Sequence, residues 1–398
     1  MLFKDIIGNE AVKQHLTEMV QQNRLSHALL FLGKEGSGAL PLALAFAQFV
    51  ICQPAAAPVV EDLFGGMSAM NNGVSFIHPE NLETAEGYYK ASQLIHPDLH
   101  FSFPVIPKKA GEKPISSHYL NEFREFVKTF PYGNVYDWLQ SIGAENKQGN
   151  ISAEECLEII KKLNLKSFES EYKVLVMWMP EYLGREGNKL LKLIEEPPAN
   201  TLFIFVAESE EQILPTILSR CQLIKVANPT DKEIEEALIT RAGTAPETAK
   251  QLAAITEGNY REALHLLQHA DEDWQSYLKE WLKYIVRRML PEQVKWIDEI
   301  SKLGREKQKQ LLRYFNHIIE QAIRIKVLGT DNIALSDNEK DFAQRLNKIA
   351  TVSQMQAIIE EIDKASYYIE RNANGKMLFH ALTIKLYHII QNKVMIGV

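Results

Sequence analysis

One short stretch, Gly33-Lys-Glu-Gly-Ser-Gly-Ala-Leu40, has the spacing of a phosphate-binding loop. Such loops read G-x-x-x-x-G-K-[ST]: backbone amides cradle phosphates, the lysine reaches the outer phosphates and the hydroxyl binds Mg²⁺. Gly33 and Gly38 are in place, but Ala39 replaces the lysine and Leu40 replaces the hydroxyl residue. The stretch is therefore a chance match, a damaged nucleotide site, or a scaffold that kept the fold and lost the chemistry.

Nucleotide hydrolysis also needs acidic residues at the end of a second strand, where they hold Mg²⁺ and position the attacking water. The apolar run Val174–Trp178 is the candidate strand, and the chain continues as Met179-Pro-Glu181. Trp178 and Met179 stand where paired carboxylates are expected, and Glu181 comes too late in the run. Lysine, hydroxyl and acidic pair are absent together, so we expect no catalytic residue in cis and no bound ATP or Mg²⁺.

Two later stretches carry longer motifs, Asn188-Lys-Leu-Leu-Lys-Leu-Ile-Glu-Glu-Pro-Pro198 and Leu214-Pro-Thr-Ile-Leu-Ser-Arg-Cys221. They resemble the NALLKxLEEPP and LPTIxSRC signatures of the AAA+ subunits of clamp loaders. The resemblance covers most of the chain outside residues 53–150 and extends to Phe3–Gly8, Arg24–His27 and Gly258–Leu264. A degenerate loop combined with an intact Ser-Arg-Cys motif is similar to the delta-prime branch of this family, from the bacterial DNA polymerase III clamp loader.

The resemblance gives the Ser-Arg-Cys motif a role in trans. In the family, its arginine is an arginine finger that points into the ATP site of the neighbouring subunit, and Arg220, between Ser219 and Cys221, matches it. A guanidinium suits this role because it is always charged and presents a planar fork to phosphate oxygens. The alternative is a surface arginine held in a salt bridge. Arg261 matches a nucleotide-sensing arginine of the family's ATPases, and without a competent loop we interpret it as structural.

The implied function is that of a non-hydrolysing stator in a clamp-loading assembly. Its implied partners are gamma/tau-type ATPase subunits and a delta-type subunit, and it would meet the sliding clamp and primed DNA through the complex. One alternative is an ATPase that uses Lys34, or a loop that binds nucleotide passively. Another is a DNA-binding or repair adaptor, which the net charge of −7 disfavours because phosphate contacts need clustered Lys and Arg. The densest basic run, 302–309, is interpreted as a solvated helix face.

Metal and membrane sites are not expected. Bacterial relatives usually carry a four-cysteine zinc module after the loop helix, whereas this sequence has only Cys52, Cys156 and Cys221, too few for such a site. We interpret His96 and His100 as unligated. No run approaches the ~18 apolar residues of a membrane span, and the first residues lack the layout of a secretory signal. A cytoplasmic location is the default expectation.

The elements that must position these residues alternate between strands and helices. Short apolar runs predict strands at 28–32, 174–178, 201–207 and 222–226. This alternation indicates a doubly wound parallel sheet, and 398 residues favour two or three domains. Combined with the family resemblance, this pattern predicts an α/β AAA+ P-loop core over 1–228. The resemblance also implies a small helical lid over 229–272 and an all-α collar for oligomerisation over 273–398. Residues 53–150 are interpreted as an irregular insertion that lies over the surface of the core.

Overall fold

The computed structural model describes residues 1–54, 59–61, 67–69, 76–109, 111–144, 147–268, 274–328, 337–370 and 373–392. The chain forms two compact units, Met1–His265 and Leu266–Val398. The predicted boundary between lid and collar, at 272 and 273, lies outside the described residues. The division into core, lid and collar stays a prediction.

The first unit contains a five-stranded sheet in the order β4-β5-β6-β1-β7, and its paired strands are parallel. A separate antiparallel pair joins β2 to β3. The strands are β1 (Ala28–Leu32), β2 (Val59–Glu61), β3 (Met67–Ala69), β4 (Leu99–Ser102), β5 (Lys173–Trp178), β6 (Thr201–Ala207) and β7 (Gln222–Lys225). The predicted doubly wound parallel sheet is confirmed.

Both faces of this sheet are covered, which explains why its central strands read as unbroken apolar runs. Successive strand residues point to opposite faces. In β1, Leu29 and Phe31 join one buried cluster, while Ala28 and Leu30 join another on the opposite face. The α-helices of this unit are α1 (Glu10–Gln21), α2 (Ala39–Ile51), α3 (Tyr88–Ser92), α4 (Leu120–Thr129), α5 (Val135–Ser141), α6 (Ala153–Leu163), α7 (Leu191–Glu195), α8 (Pro215–Leu218), α9 (Asp231–Ala242) and α10 (Pro246–Thr256). Helix α11 (Tyr260–Gln268) begins in this unit and ends beyond His265.

The interpretation of 53–150 as an irregular surface insertion is wrong for residues 99–144. Strand β4 is the edge strand of the main sheet and pairs with β5. Helices α4 and α5 bring large aromatic side chains into the same core as α2: Phe123 stacks on Phe103, with ring centroids 3.9 Å apart, and Trp138 is fully buried beside both. The sequence hid this because the elements are short and their buried residues come from loops as well as helices. Residues 55–58, 62–66, 70–75, 110, 145 and 146 of this segment lie outside the described residues.

The second unit is helical wherever the structure describes regular elements. Its helices are α12 (Trp274–Val286), α13 (Leu290–Lys302), α14 (Arg305–Leu328), α15 (Asp337–Ile349), α16 (Val352–Glu370) and α17 (Gly375–Asn392). They bury one continuous apolar cluster in which Trp281 stacks on Trp296, with ring centroids 4.6 Å apart. In the described residues, no helix is long and apolar enough to cross a bilayer.

Candidate functional site

The loop Gly33–Gly38 connects β1 to α2. Gly36 and Gly38 have φ values of 77° and 85°, a left-handed conformation that favours glycine. The surrounding protein fills the space that a ligand would need. A Cβ atom added at Gly36 would lie 2.0 Å from Asn259 Oδ1, and one at Gly38 would lie 2.8 Å from Tyr132 Cε1. The glycines thus let this chain's own side chains approach the loop.

The residues that replace the nucleotide-binding groups are part of the apolar core. Ala39 and Leu40, in the first turn of α2, are both buried in the same cluster as the aromatic residues of α4. At the end of β5, Trp178 and Met179 are also buried, and the Trp178 ring lies 5.9 Å from that of Phe126. The predicted loop and strand-end residues do meet around one cavity, but its volume is only about 30 Å³.

Glu181, the first acid after β5, is directed to the backbone rather than to the loop. Its Oε1 accepts hydrogen bonds from the amides of Glu208, at 2.7 Å, and Ser209, at 3.0 Å. Burial raises the pKa of this carboxyl, and the amide hydrogen bonds oppose that rise. Glu181 therefore has a structural contact that joins the segment after β5 to the end of β6.

A buried ionic cluster joins the loop to helices α5 and α11. Arg261 donates from Nε and from a terminal nitrogen to the two oxygens of Asp137, both at 2.6 Å. Its other terminal nitrogen donates to Glu35 in the loop, at 3.0 Å. Burial alone would raise the pKa of Asp137, but hydrogen bonds from Arg261 and His265 outweigh it and lower that pKa to about 2. Arg261 thus has two carboxylate partners, consistent with the structural interpretation of this residue.

Arg220 lies at the other end of the sheet. It precedes β7, and β7 runs parallel to β1 with Leu29 opposite Gln222 and Leu32 opposite Lys225. The loop begins after the carboxyl end of β1, so at 3.3 Å per residue Gln222 is about 13 Å from the level at which the loop starts. Arg220 precedes Gln222 in the chain and pairs with Glu195, which itself precedes β6. It therefore lies near the amino ends of these strands, away from the loop of its own chain.

The Arg220 side chain is anchored at the surface and is 32% exposed. One terminal nitrogen donates to the Thr216 carbonyl, at 2.6 Å, and to Ser219 Oγ, at 3.1 Å. The other forms an ion pair with Glu195, at the end of α7. Cys221 lies against the apolar cluster, and burial raises the pKa of its thiol to about 12, so it is an unreactive packing residue.

The thiols and histidines considered for a metal do not converge. Within the described residues, no group of three or more His, Cys, Asp or Glu side chains is arranged to hold a metal ion. Cys52 is buried at the end of α2, and burial raises the pKa of its thiol to about 12. His96 accepts a hydrogen bond from the Asp98 amide, at 3.2 Å. These contacts are those of structural side chains.

Comparisons with known proteins place these features in a family. Residues 8–62 and 89–230 match the family model described as DNA polymerase III, delta subunit. The DNA polymerase III subunit delta' of Bacillus subtilis is 29% identical over 255 residues, which are 64% of this chain and 58% of that protein. The chain belongs to the delta-prime family of DNA polymerase III subunits. The resemblance expected from the motifs is thereby confirmed.

A second delta' subunit and a solved structure are also similar to this chain. The delta' subunit of Escherichia coli is 22% identical over 263 residues, covering 65% of this chain and 76% of that protein. A crystal structure of a gamma subunit-related protein from Thermotoga maritima aligns with 94% of this chain and 99% of its own, at 14% identity and a TM-score of 0.37. The chain spans less than two thirds of the length of the Bacillus relative.

Sequence reasoning missed several residues that shape the candidate site. Glu35 lies inside the loop motif, and an acid at a phosphate site was a visible anomaly. Asp137 and Tyr132 belong to the segment interpreted as an insertion, so nothing in the sequence linked them to the loop. Glu195 lies in the Glu-Glu-Pro-Pro motif, whose spacing gave no sign that it pairs with Arg220.

Proposed function

We propose that this chain is a non-hydrolysing clamp-loader subunit, a stator that assembles with gamma/tau-type ATPase subunits and a delta-type subunit. It supplies Arg220 in trans to the ATP site of a neighbouring ATPase subunit. The complex so formed loads the sliding clamp onto primed DNA during replication. The observation that carries the proposal is that a self-filled loop lies at one end of the sheet and an anchored surface arginine at the other.

The filled loop supports the absence of hydrolysis in cis. Pockets that hold small molecules usually measure ~300–1,000 Å³, whereas the cavity at Gly33–Leu40 measures about 30 Å³. Phosphoryl transfer needs a cation and a metal to stabilise charge on the transferred group. Ala39, Leu40, Trp178 and Met179 provide neither, because all four are apolar and buried. Binding of a triphosphate would require the aromatic core beside the loop to open.

The surface contacts of Arg220 support a role in trans. Exposed ion pairs such as the one with Glu195 stabilise a protein by ~0–1 kcal/mol, so a phosphate on a neighbouring subunit can replace the carboxylate at little cost. The bonds to Thr216 and Ser219 use only one terminal nitrogen, and the other, which pairs with Glu195, would exchange that carboxylate for the incoming phosphate. Arginines supplied in trans accelerate nucleotide hydrolysis by ~10³–10⁵, which corresponds to ~4–7 kcal/mol of transition-state stabilisation.

The family supports the choice of partners. The relatives of this chain include delta' subunits and also a DNA polymerase III subunit gamma from Buchnera aphidicola of Acyrthosiphon pisum, 32% identical over 123 residues. Related chains that are subunits of one polymerase are suited to pack side by side in a mixed ring. The helical second unit is the part that we assign to this assembly.

Co-purification tests the proposal. The full chain would be mixed with purified gamma/tau-type and delta-type subunits from the same organism, and the stoichiometry measured by light scattering after gel filtration. We expect one stable complex, with no ATP turnover by the isolated chain. The proposal is rejected if the chain elutes alone from every mixture.

The second candidate function is nucleotide binding by a divergent loop. One observation favours it: the exposed Lys34 lines the mouth of the cavity. Calorimetric titration of the isolated chain with MgATP separates the two functions. Heat of binding that disappears in a Lys34→Ala variant would favour the divergent loop, whereas no heat at millimolar nucleotide supports the stator.

A further inference from the structure

The loop contains an acidic residue that faces inward, and this is unexpected for a site built to hold phosphate. Glu35 Oε2 accepts a hydrogen bond from Asn134 Nδ2, at 2.9 Å. Its Oε1 accepts from Asn259 Nδ2, at 3.2 Å, and from Arg261, at 3.0 Å. One carboxylate in the loop thus binds groups that are 99, 224 and 226 residues away in the chain.

The arginine at the centre of this cluster is almost completely buried. Arg261 is 2% exposed, and the side chain of its bidentate partner Asp137 is 10% exposed. Buried charges persist only when they are paired and hydrogen-bonded. One carboxylate already neutralises the guanidinium, so Glu35 adds a second negative charge, which Asn134 and Asn259 stabilise through their amide groups.

The cluster connects the loop to the helices that follow the sheet. Asn259 immediately precedes α11 and caps it, because its Oδ1 accepts from the Glu262 amide, at 3.0 Å. Arg261 lies in the first turn of α11. The loop backbone at Gly36 also packs directly against Asn259, since a Cβ atom added at Gly36 would overlap that side chain. The amino end of α11 is therefore held on the loop by charge, by hydrogen bonds and by shape.

We propose that Glu35 is an internal substitute for a nucleotide phosphate: it binds Arg261 and Asn259 and so locks the amino end of α11 onto the loop without nucleotide. A carboxylate, like a phosphate, offers negatively charged oxygen acceptors to a guanidinium, and here Glu35 Oε1 accepts from one terminal nitrogen of Arg261. The locked segment, residues 258–265, keeps one position whether or not ATP is present. This is a conformational role for Glu35 that does not depend on Arg220 or on any partner subunit.

Hydrogen exchange of the full chain, measured by mass spectrometry, tests the lock. The variants are Glu35→Ala, which removes the acceptor, and Glu35→Gln, which keeps the shape and removes the charge. Glu86→Ala is the matched control, because Glu86 is an exposed acid of the same unit. Because hydrogen bonds to charged groups are stronger than neutral ones, we expect amide exchange in residues 258–265 to accelerate about tenfold to hundredfold in Glu35→Ala. In Glu35→Gln the same exchange should accelerate by a smaller factor.

Two internal comparisons make the result specific. Exchange in β5 and β6 and in the helices of the second unit should match the wild type, and 5 mM MgATP should leave exchange of 258–265 in the wild type unchanged. The proposal is overturned by exchange within twofold of the wild type in both variants, by equal acceleration of the sheet, or by protection on addition of ATP. Should Glu35→Ala fail to fold, Glu35→Gln decides alone, since it preserves the packing.

Discussion

Replacing Arg261 with glutamine should strongly destabilise the first unit. Against the effect of burial, Arg261 and His265 together lower the pKa of Asp137 from 3.8 to about 2, a difference worth about 2 kcal/mol at neutral pH to which Arg261 contributes the larger share. The substitution also takes a charged donor from Glu35. Removing one partner of a buried ion pair leaves an uncompensated charge and typically costs ~3–5 kcal/mol. We therefore expect a loss of about 3–5 kcal/mol in the free energy of unfolding of residues 1–265.

The direction of the pKa shift of Asp137 determines how this loss of stability depends on pH. The folded pKa of Asp137 is depressed, so its stabilising contribution is complete above pH 3.8 and disappears as the pH falls through 2. The difference between wild type and Arg261→Gln should be largest at neutral pH and should shrink as the pH falls. In the variant, burial without the arginine raises the pKa of Asp137, which reduces the difference further in acid.

Urea unfolding read by hydrogen exchange would separate the two units and give the free energy for residues 1–265. Arg185→Gln is the matched control, because Arg185 is exposed in the same unit, and its effect should stay within about 0.5 kcal/mol. A loss below 1 kcal/mol in Arg261→Gln, or a difference that grows in acid, would refute the reasoning about the cluster.

Two further predictions concern the surface arginine and the loop. In Glu195→Gln, Arg220 loses its carboxylate partner, so ATP hydrolysis by the reconstituted complex should stay equal or rise by up to about fivefold; a tenfold fall would show that Glu195 assists the arginine. Gly36→Ala should lower the melting temperature more than Gly111→Ala. Both have positive φ, but only at Gly36 would the new Cβ meet Asn259. Equal shifts in thermal unfolding of the two variants would contradict the packing of the loop.

The centre of the sheet was predictable because its inner strands are buried on both faces and therefore appear as continuous apolar runs. Residues 173–178 and 201–207 are buried throughout. The edge strand β4 was not predictable in the same way, because it has only four residues, one of them the half-buried His100. It follows a segment whose apolar residues have no clear period.

The candidate site was predictable only where the residues are neighbours in the chain. The loop glycines, Trp178 and Met179 were found as motif positions, and the structure brings them around one cavity. The pairing of Glu35 with Arg261 was not found, because contacts over 226 residues depend on the fold and leave no local pattern. A departure from a motif, here an acid inside a phosphate loop, is the signal that sequence reasoning could have used.

The most direct test of the central claim is ATP turnover by a reconstituted complex that contains Arg220→Ala. The other ATP sites would be inactivated by replacing their own loop lysines, so that only the site facing this chain is measured. We predict that hydrolysis at this site falls by ~10³–10⁵, that Arg220→Lys restores little because it lacks the planar fork, and that assembly is unchanged. Undiminished hydrolysis in an intact Arg220→Ala complex would contradict the account.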